Sequence, residues 1–248
     1  MPIQVALVTD TLLLSVGNSK TTQPLTSILE PLGVSSQSSS SFKTPSSSRS
    51  VSIISIDTET SSLSPLEANL IGISFSCAPN EAYYIPLGHK NIKGLNKESV
   101  LKKIKPLLED ASIKKVGQNI KYDFIVLTKN RIKIDPVEDT MLLSYVLDAG
   151  NNRHNMDALS ELHLGHKTIS YKDVVGTGKK QLNFSDVNLE EATKYAAEDA
   201  DVTLRLYSLL LERVDNEKLK KIYEEFEKPM IKLLSKLEMN GVKVDQVY

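Results

Sequence analysis

The sequence has little cysteine: one residue, Cys77, among 248. That excludes an internal disulfide framework and a cysteine-built zinc site. An excess of either charge is also missing, since 30 Lys and Arg stand against 31 Asp and Glu, a net −1. A chain so balanced does not coat long duplex DNA by neutralising many phosphates, although it can grip a few nucleotides through metal ions. No apolar run approaches the ~18 residues that a membrane span requires, so no membrane partner is expected. The N-terminus, MPIQVALVTDTLLLSVG, has no basic leading region and carries Asp10 inside its apolar stretch. It reads as no signal peptide, and a reducing cytoplasm is the expected compartment. What is present, 40% hydrophobic and 25% charged residues, is ordinary for a globular chain with a substantial core.

Residues 35–50, SSQSSSSFKTPSSSRS, offer almost no apolar surface against their ordering entropy and read as a flexible linker or loop. They separate a short piece, 1–34, with one expected strand near Val5–Val8, from the body at 51–248. The body opens with VSIISID, NLIGISFSC and EAYYIPLG, apolar runs rich in β-branched or aromatic residues and separated by turn residues, which predict an antiparallel meander. The period then changes. Residues 96–109 place Val100, Leu101, Ile104, Leu107 and Leu108 on one helical face. A strand is expected at 113–116, a helix at 120–128, a strand over IKIDPV, and helices at 139–147 and 157–164. The longest helix is expected at 189–214, capped by Asn188 with Glu191. A last amphipathic helix, 218–239, should kink at Pro229 and end at Asn240-Gly241. Strands first and helices later predict an α/β fold with a mixed sheet flanked by helices.

The chemical signal lies in a few acids. Asp57 and Glu59, in IDTET, fall two apart on a strand and share a face. Two adjacent carboxylates repel unless a cation lies between them. Asp123 lies in the first turn of the helix after the fourth body strand, where an acid can simply offset the helix dipole. Tyr195 and Asp199 are four apart on the long helix, one turn from each other. Ala196, Ala197 and Ala200 around Asp199 would let that helix approach the sheet closely, whereas Glu198 and Asp201 are expected to point into solvent. Asp57, Glu59, Asp123 and Asp199 together supply oxygen ligands of the kind Mg²⁺ or Mn²⁺ prefers. Two such ions about 4 Å apart clamp the attacking and leaving oxygens of a phosphodiester, with Tyr195 orienting the water. His89, His154, His163 and His166 show no metal-ligand spacing. Residues 176–180, GTGKK, lack the phosphate-loop pattern and read as a basic loop, and Cys77 reads as a small buried hydrophobe.

IDTETSSLSPLEANLIGISFS, VGQNIKYDFIVL, DTMLLSYVLDAGNNRHNMDALS, LGHKTISYKDVVGTGKKQLNF and YAAEDADVTLRLY occur in one order. In this the chain resembles, over 51–248, the 3′–5′ proofreading exonuclease domain of bacterial DNA polymerase I, a family A polymerase. The resemblance implies a ribonuclease H-like fold with a mixed five-stranded sheet. It places the chain in the tyrosine-bearing (DEDDy) subclass of DnaQ-like exonucleases, with Asp57, Glu59, Asp123, Tyr195 and Asp199 as its motif residues. It implies that Asp57, Glu59 and Asp199 hold one divalent ion, Mg²⁺ or Mn²⁺ with Zn²⁺ an alternative, and that Asp57, with Asp123 through water, supports a second. Glu59 would also touch the terminal 3′ hydroxyl. The implied substrate-binding set is Thr58, Leu63, Gln118, Asn119, Tyr122, Arg153 and Tyr171. Leu63 would wedge between the last two bases, Arg153 would lie near the scissile phosphate, and Tyr171 would pack on the single strand.

The implied activity is two-metal removal of 3′ nucleotides from single-stranded or frayed DNA, with a DNA polymerase as a partner in trans. Two other readings stay open: a scaffold without activity, and an RNA-trimming exonuclease of the ribonuclease D type. The acids argue against the first, and GQNIKYD and GNNRHNMDALS against the second. The sequence departs from the family pattern in residues 1–50. It stops at NGVKVDQVY, where a polymerase domain would begin, so a free-standing enzyme and a fragment are both expected readings.

Overall fold

The computed structural model describes residues 4–7, 14–16, 52–90 and 95–245; the serine-rich stretch lies outside them. The centre of the fold is one mixed sheet. Strands β3 (Ile53–Thr60), β4 (Leu70–Ala78) and β5 (Glu81–Pro86) form the expected antiparallel meander. Strand β6 (Lys114–Gly117) runs parallel to β3, and β7 (Val137–Asp139) runs parallel to β6. These five strands make up the expected five-stranded unit. The backbones of β1 (Gln4–Leu7) and β2 (Leu14–Val16) add two strands beyond β5, where one strand had been expected in the N-terminal piece. The full order is β2-β1-β5-β4-β3-β6-β7.

Alternation along β3 divides the molecule. Ile54 and Ile56 enter one core with Val100, Ile104, Leu107 and Leu108 of helix α1 (Lys97–Glu109). Val126 and Leu127 of α2 (Lys121–Lys129) and Ile231 join them there. Ser55, Asp57 and Glu59 face the other way. That side is covered by α3 (Thr140–Asp148), α4 (Met156–Leu164), the short α5 (Tyr171–Val175) and the long α6 (Leu189–Asn216). Its core includes Val116, Leu143, Leu159, Val202, Leu206 and Leu210.

Helix α6 comes close to the sheet because Ala192, Ala196, Ala197 and Ala200 are fully buried and small. Ser55 Oγ donates to the Ala200 carbonyl at 2.6 Å, a direct tie from β3 to α6. Opposite Glu59 on β4 stands Gly72. A Cβ there would come within 2.1 Å of the Tyr84 hydroxyl, so the buried tyrosine ring fills the space a side chain would take.

Several boundaries differ from expectation for identifiable reasons. The strand expected over IKIDPV forms only at β7, because Pro136 has no N–H to give a ladder. Ile132 and Ile134 are buried all the same. The last helix breaks before Pro229, not at it. After α7 (Lys220–Ile222), a π turn, Tyr223–Glu227, absorbs the lost bond ahead of α8 (Lys228–Asn240), which has proline in its first turn. Helix α8 buries Ile231 and Ser235 and leaves Met230, Leu233, Leu234 and Leu237 exposed. Glu198 and Asp201, expected in solvent, are buried, since α6 is covered on both flanks. Glu198 pairs with His166 (2.9 Å) and accepts from the Ile169 N–H, while Asp201 accepts from the Asn80 N–H and pairs with Arg205. Cys77 is half-buried against the main core.

Lys115, fully buried, donates from Nζ to the carbonyls of Asp110, Ile113 and Asp135 at 2.6–2.7 Å. Burial pulls its pKa down to about 8. Gly72→Ala is expected to destabilise the fold by about 1–3 kcal/mol through overpacking against Tyr84. Urea unfolding checks this: the midpoint should drop at constant slope, and an unchanged midpoint would show that the ring can move aside.

Candidate active site

The C-terminal ends of the parallel strands β3 and β6 open into a cleft of about 1390 Å³, floored by Asp57, Glu59 and Asp199. In open sheets this end of the strands, where successive loops diverge, is the usual place for a ligand. One carboxylate oxygen from each of the three acids lies within 4.8 Å of the others. Oxygens grouped this closely could hold one metal ion between them. Glu59 Oε1 is buried without a hydrogen-bond partner in the described structure. A buried carboxylate oxygen left so is costly, and a cation between the acids would satisfy it.

Asp123, on the first turn of α2, is buried beside the three acids and is neither in their shared group nor part of the cleft lining. Its Oδ1 accepts from the Thr58 N–H (3.0 Å) and from Thr58 Oγ1 (2.5 Å), which ties α2 to β3 between the two strand acids. Tyr195 donates its hydroxyl to Asp199 one turn along α6. Its ring packs edge-on against Tyr171 (5.9 Å between centroids) and near Phe184 (6.0 Å), while Tyr171 stacks on Phe184.

The electrostatics follow from enclosure and crowding. Burial pushes Asp57 up to about 6. Burial and the fields of Asp57, Asp199 and Asp123 push Glu59 well above the carboxylate range. Asp123 and Asp199 rise for the same reasons, burial first and Asp57 second. Burial and the adjacent acids also drive the Tyr195 phenol far above 10. Among these acids the neutral form of the Tyr195 phenol is favoured.

The other sequence-derived positions divide into two groups. Thr58, Leu63, Gln118, Asn119, Tyr122 and Tyr171 line the cleft. Leu63 is 95% exposed at its rim. The hydroxyl of Tyr122 bonds to Thr60 and donates to the Ser62 carbonyl, holding the loop that carries Leu63. Lys129, further along α2, donates to the carbonyls of Pro65, Leu66 and Ala68 in the same loop. Gln118 donates to the His154 carbonyl at 2.7 Å and accepts from Thr140 Oγ1. Arg153 is exposed on the turn between α3 and α4 and is not part of the lining, although Asn155 and Met156 beside it are.

Sequence reasoning missed Asn155, Met156, Gln181, Leu182, Asn183 and Phe184, which also line the cleft. Their loops carry no periodic signal; only the density of turn residues around 176–188 marks them. Three of the four histidines have structural partners: His89 pairs with Tyr84, His154 with Ser144 and His166 with Glu198.

Residues 35–215 match the model of the 3′–5′ exonuclease domain of family A DNA polymerases. The chain is 43% identical over 218 residues to DNA polymerase I of Rhizobium leguminosarum, covering 80% of this chain and 22% of that protein. It is 42% identical over 200 residues to DNA polymerase I of Pseudomonas aeruginosa. The chain thus spans about a fifth of the length of the curated relatives it matches. Among solved structures, Brucella melitensis NrnC bound to pGG aligns with a TM-score of 0.60 at 23% identity, covering 80% of this chain and 90% of that one. Escherichia coli RNase D aligns at 0.55 and 16%, covering 77% and 46%. These distant likenesses show a shared ribonuclease H-like fold. The match over most of the chain and the identity to the two polymerases show more: this chain belongs to the 3′–5′ exonuclease family of DNA polymerase I.

Proposed function

We propose that the domain is a metal-dependent exodeoxyribonuclease that shortens single-stranded or frayed DNA from its 3′ end and releases 5′-monophosphates. The observation that carries this reading is the convergence of Asp57, Glu59 and Asp199 within reach of one cation, with a buried Glu59 oxygen unsatisfied. These three residues would hold the first ion, Mg²⁺ or Mn²⁺, with Zn²⁺ an alternative. Asp57, with Asp123 acting through water, would support a second. Such ions, when bound, stabilise the charge developing on the attacking and leaving oxygens of an in-line displacement.

The residues of the chain do the rest. Tyr195, its neutral form favoured, orients the attacking water. Glu59 receives the terminal 3′ hydroxyl. Leu63 wedges between the last two bases, and Tyr171, backed by Phe184, offers a face for stacking worth about 1–3 kcal/mol per base. Gln118 and Asn119 line the path of the strand, Thr58 and Tyr122 brace Asp123 and the wedge loop, and Arg153 approaches the phosphate from outside the cleft.

The nuclease unit is residues 51–248, since Ile231 of α8 enters the same core as β3 and α1. Residues 1–34 stand as a proposed N-terminal segment, of which β1 and β2 extend the sheet, and the proposed linker, 35–50, lies outside the described residues. Its substrate is the 3′ end of single-stranded DNA, its partner a DNA polymerase acting in trans, and its compartment the cytoplasm. No helix among the described residues is long and apolar enough to cross a membrane.

A 5′-labelled oligonucleotide incubated with Mg²⁺, Mn²⁺ or EDTA tests the reaction. A metal-dependent ladder shrinking from the 3′ end is expected, and Asp57→Ala should slow it at least about a hundredfold. A ladder that persists in Asp57→Ala refutes the site, and faster digestion of RNA than of DNA refutes the substrate.

Metal and proton compete for the same carboxylates. Asp57 titrates near 4 in the unfolded chain and at about 6 in the fold, so between these values the folded state binds the extra proton. Stability of the metal-free protein therefore falls as pH rises through this window. Ion binding needs the ionised acids, so its stabilisation should be larger at pH 8 than at pH 5. At ~100 times Kd it amounts to about 2.7 kcal/mol, or roughly 5–10 °C in Tm. Thermal melts should show this gain at pH 8, a smaller one at pH 5 and none in Asp57→Ala. An equal gain in all three would assign the ion to another place.

A further inference from the structure

Asp139 is an acid the chemistry above does not use. It ends β7, is 2% exposed, and its carboxylate serves two helices. Oδ1 accepts from the N–H groups of Met141 (2.8 Å) and Leu142 (3.2 Å), the ordinary cap of α3. The same carboxylate reaches across to the turn ahead of α2, where it accepts from Asn119 N (3.2 Å) and Ile120 N (2.9 Å). Helix α2 has no side-chain cap of its own, because its N-cap position is Ile120. Asn119 lies in the left-handed region, at φ 60°, so the turn needs outside support to hold its shape.

We propose that Asp139 is a positioning residue. By capping α2 from a neighbouring strand it fixes where Asp123 stands against Asp57, and so where the second metal ion binds. This rests on the reading of Asp123 as a support of that ion. Three further observations favour it. Thr140 donates to Gly117 O (3.2 Å) and to Gln118 Oε1, so both residues of the Asp139-Thr140 pair grip the β6–α2 turn. The backbone of Asp139 is itself pinned, since its N–H donates to the Tyr223 hydroxyl (2.9 Å), which in turn donates to Glu138 (2.9 Å). And α2 is a lever: the helix that carries Asp123 also holds the Leu63 loop through Tyr122 and Lys129. A cap needed only for α3 would not have to reach Asn119 and Ile120.

The test uses the whole 248-residue chain and the variants Asp139→Asn, Asp139→Ser, Asn96→Ala and Asp57→Ala. Asn and Ser cap helices about as well as Asp, so α3 keeps its cap. Ser is too short to reach α2, and Asn sets an amide N–H₂ against the Ile120 N–H. Asn96→Ala removes the cap of α1, away from the cleft, and controls for lost stability alone. Both Asp139 variants are expected to lower kcat about 10–100-fold and to raise the Mg²⁺ midpoint severalfold, with a smaller rise in KM for the oligonucleotide because α2 also holds the Leu63 loop. Asn96→Ala should leave the kcat and metal midpoint as in wild type. Wild-type values in the Asp139 variants, with Asp57→Ala inactive, overturn this proposal alone. Activity remaining in Asp57→Ala overturns the reading of the site and the proposal with it. Amide exchange in the wild type gives a second test that needs no variant. Asn119 and Ile120 should exchange slowly, and exchange as fast as in exposed loops contradicts the clamp.

Discussion

Three carboxyl groups share the cleft floor with a fourth, Asp123, buried beside them, and the cost of ionising them together governs the rest of the structure. Burial raises each of them above its ordinary pKa, and repulsion from neighbouring acids adds to this at Glu59, Asp123 and Asp199. Hydrogen bonds from Thr58 and Tyr195 offset part of this at Asp123 and Asp199, but one Glu59 oxygen is left without a partner. A pocket built this way is stabilised by protons or by cations. At neutral pH the divalent ion is the natural choice, since hard oxygen donors in a tight cluster suit it.

Holding the acids so close requires particular packing. Asp57 and Glu59 come for free from the alternation of β3. Asp199 reaches them only because α6 presents alanine to the sheet and Ser55 draws the Ala200 carbonyl down onto β3. Asp123 reaches them because Thr58 grips it from between the two strand acids. The contacts around the cleft then follow from α2, whose first turn holds Tyr122 and Asp123 and whose end holds Lys129. Helix α2 is thus a rigid mount that couples a carboxylate beside the floor to the exposed wedge at Leu63.

Much of this was legible in the sequence because it rests on short-range periodicity. The D-x-E pair, the Tyr-x-x-x-Asp pair and the alanines beside Asp199 each predict a face, and those faces meet. The five buried residues of α1 were likewise set by a simple period. What escaped depends on tertiary contacts. Glu198 and Asp201 look like the solvated side of α6 and are buried, because partners distant in sequence, His166 and Asn80, meet them there. Lys115, on β6 between β3 and β7, closes three carbonyls that no local pattern marks. The partners of Gln118 and Tyr122 were not legible either: Gln118 bonds to His154 and Thr140, and Tyr122 to Thr60 and Ser62. Proline was read correctly as a disturbance of the last helix, but its effect falls one turn earlier, in the π turn.

The central claim is that Asp57, Glu59 and Asp199 form a metal site within the cleft. Anomalous diffraction from crystals soaked in Mn²⁺ addresses it directly. The account predicts a strong peak bounded by those three carboxylates, with a second near Asp57 and Asp123 when a nucleotide is present. A well-ordered cleft without anomalous density there, or with Mn²⁺ bound only elsewhere, would contradict it.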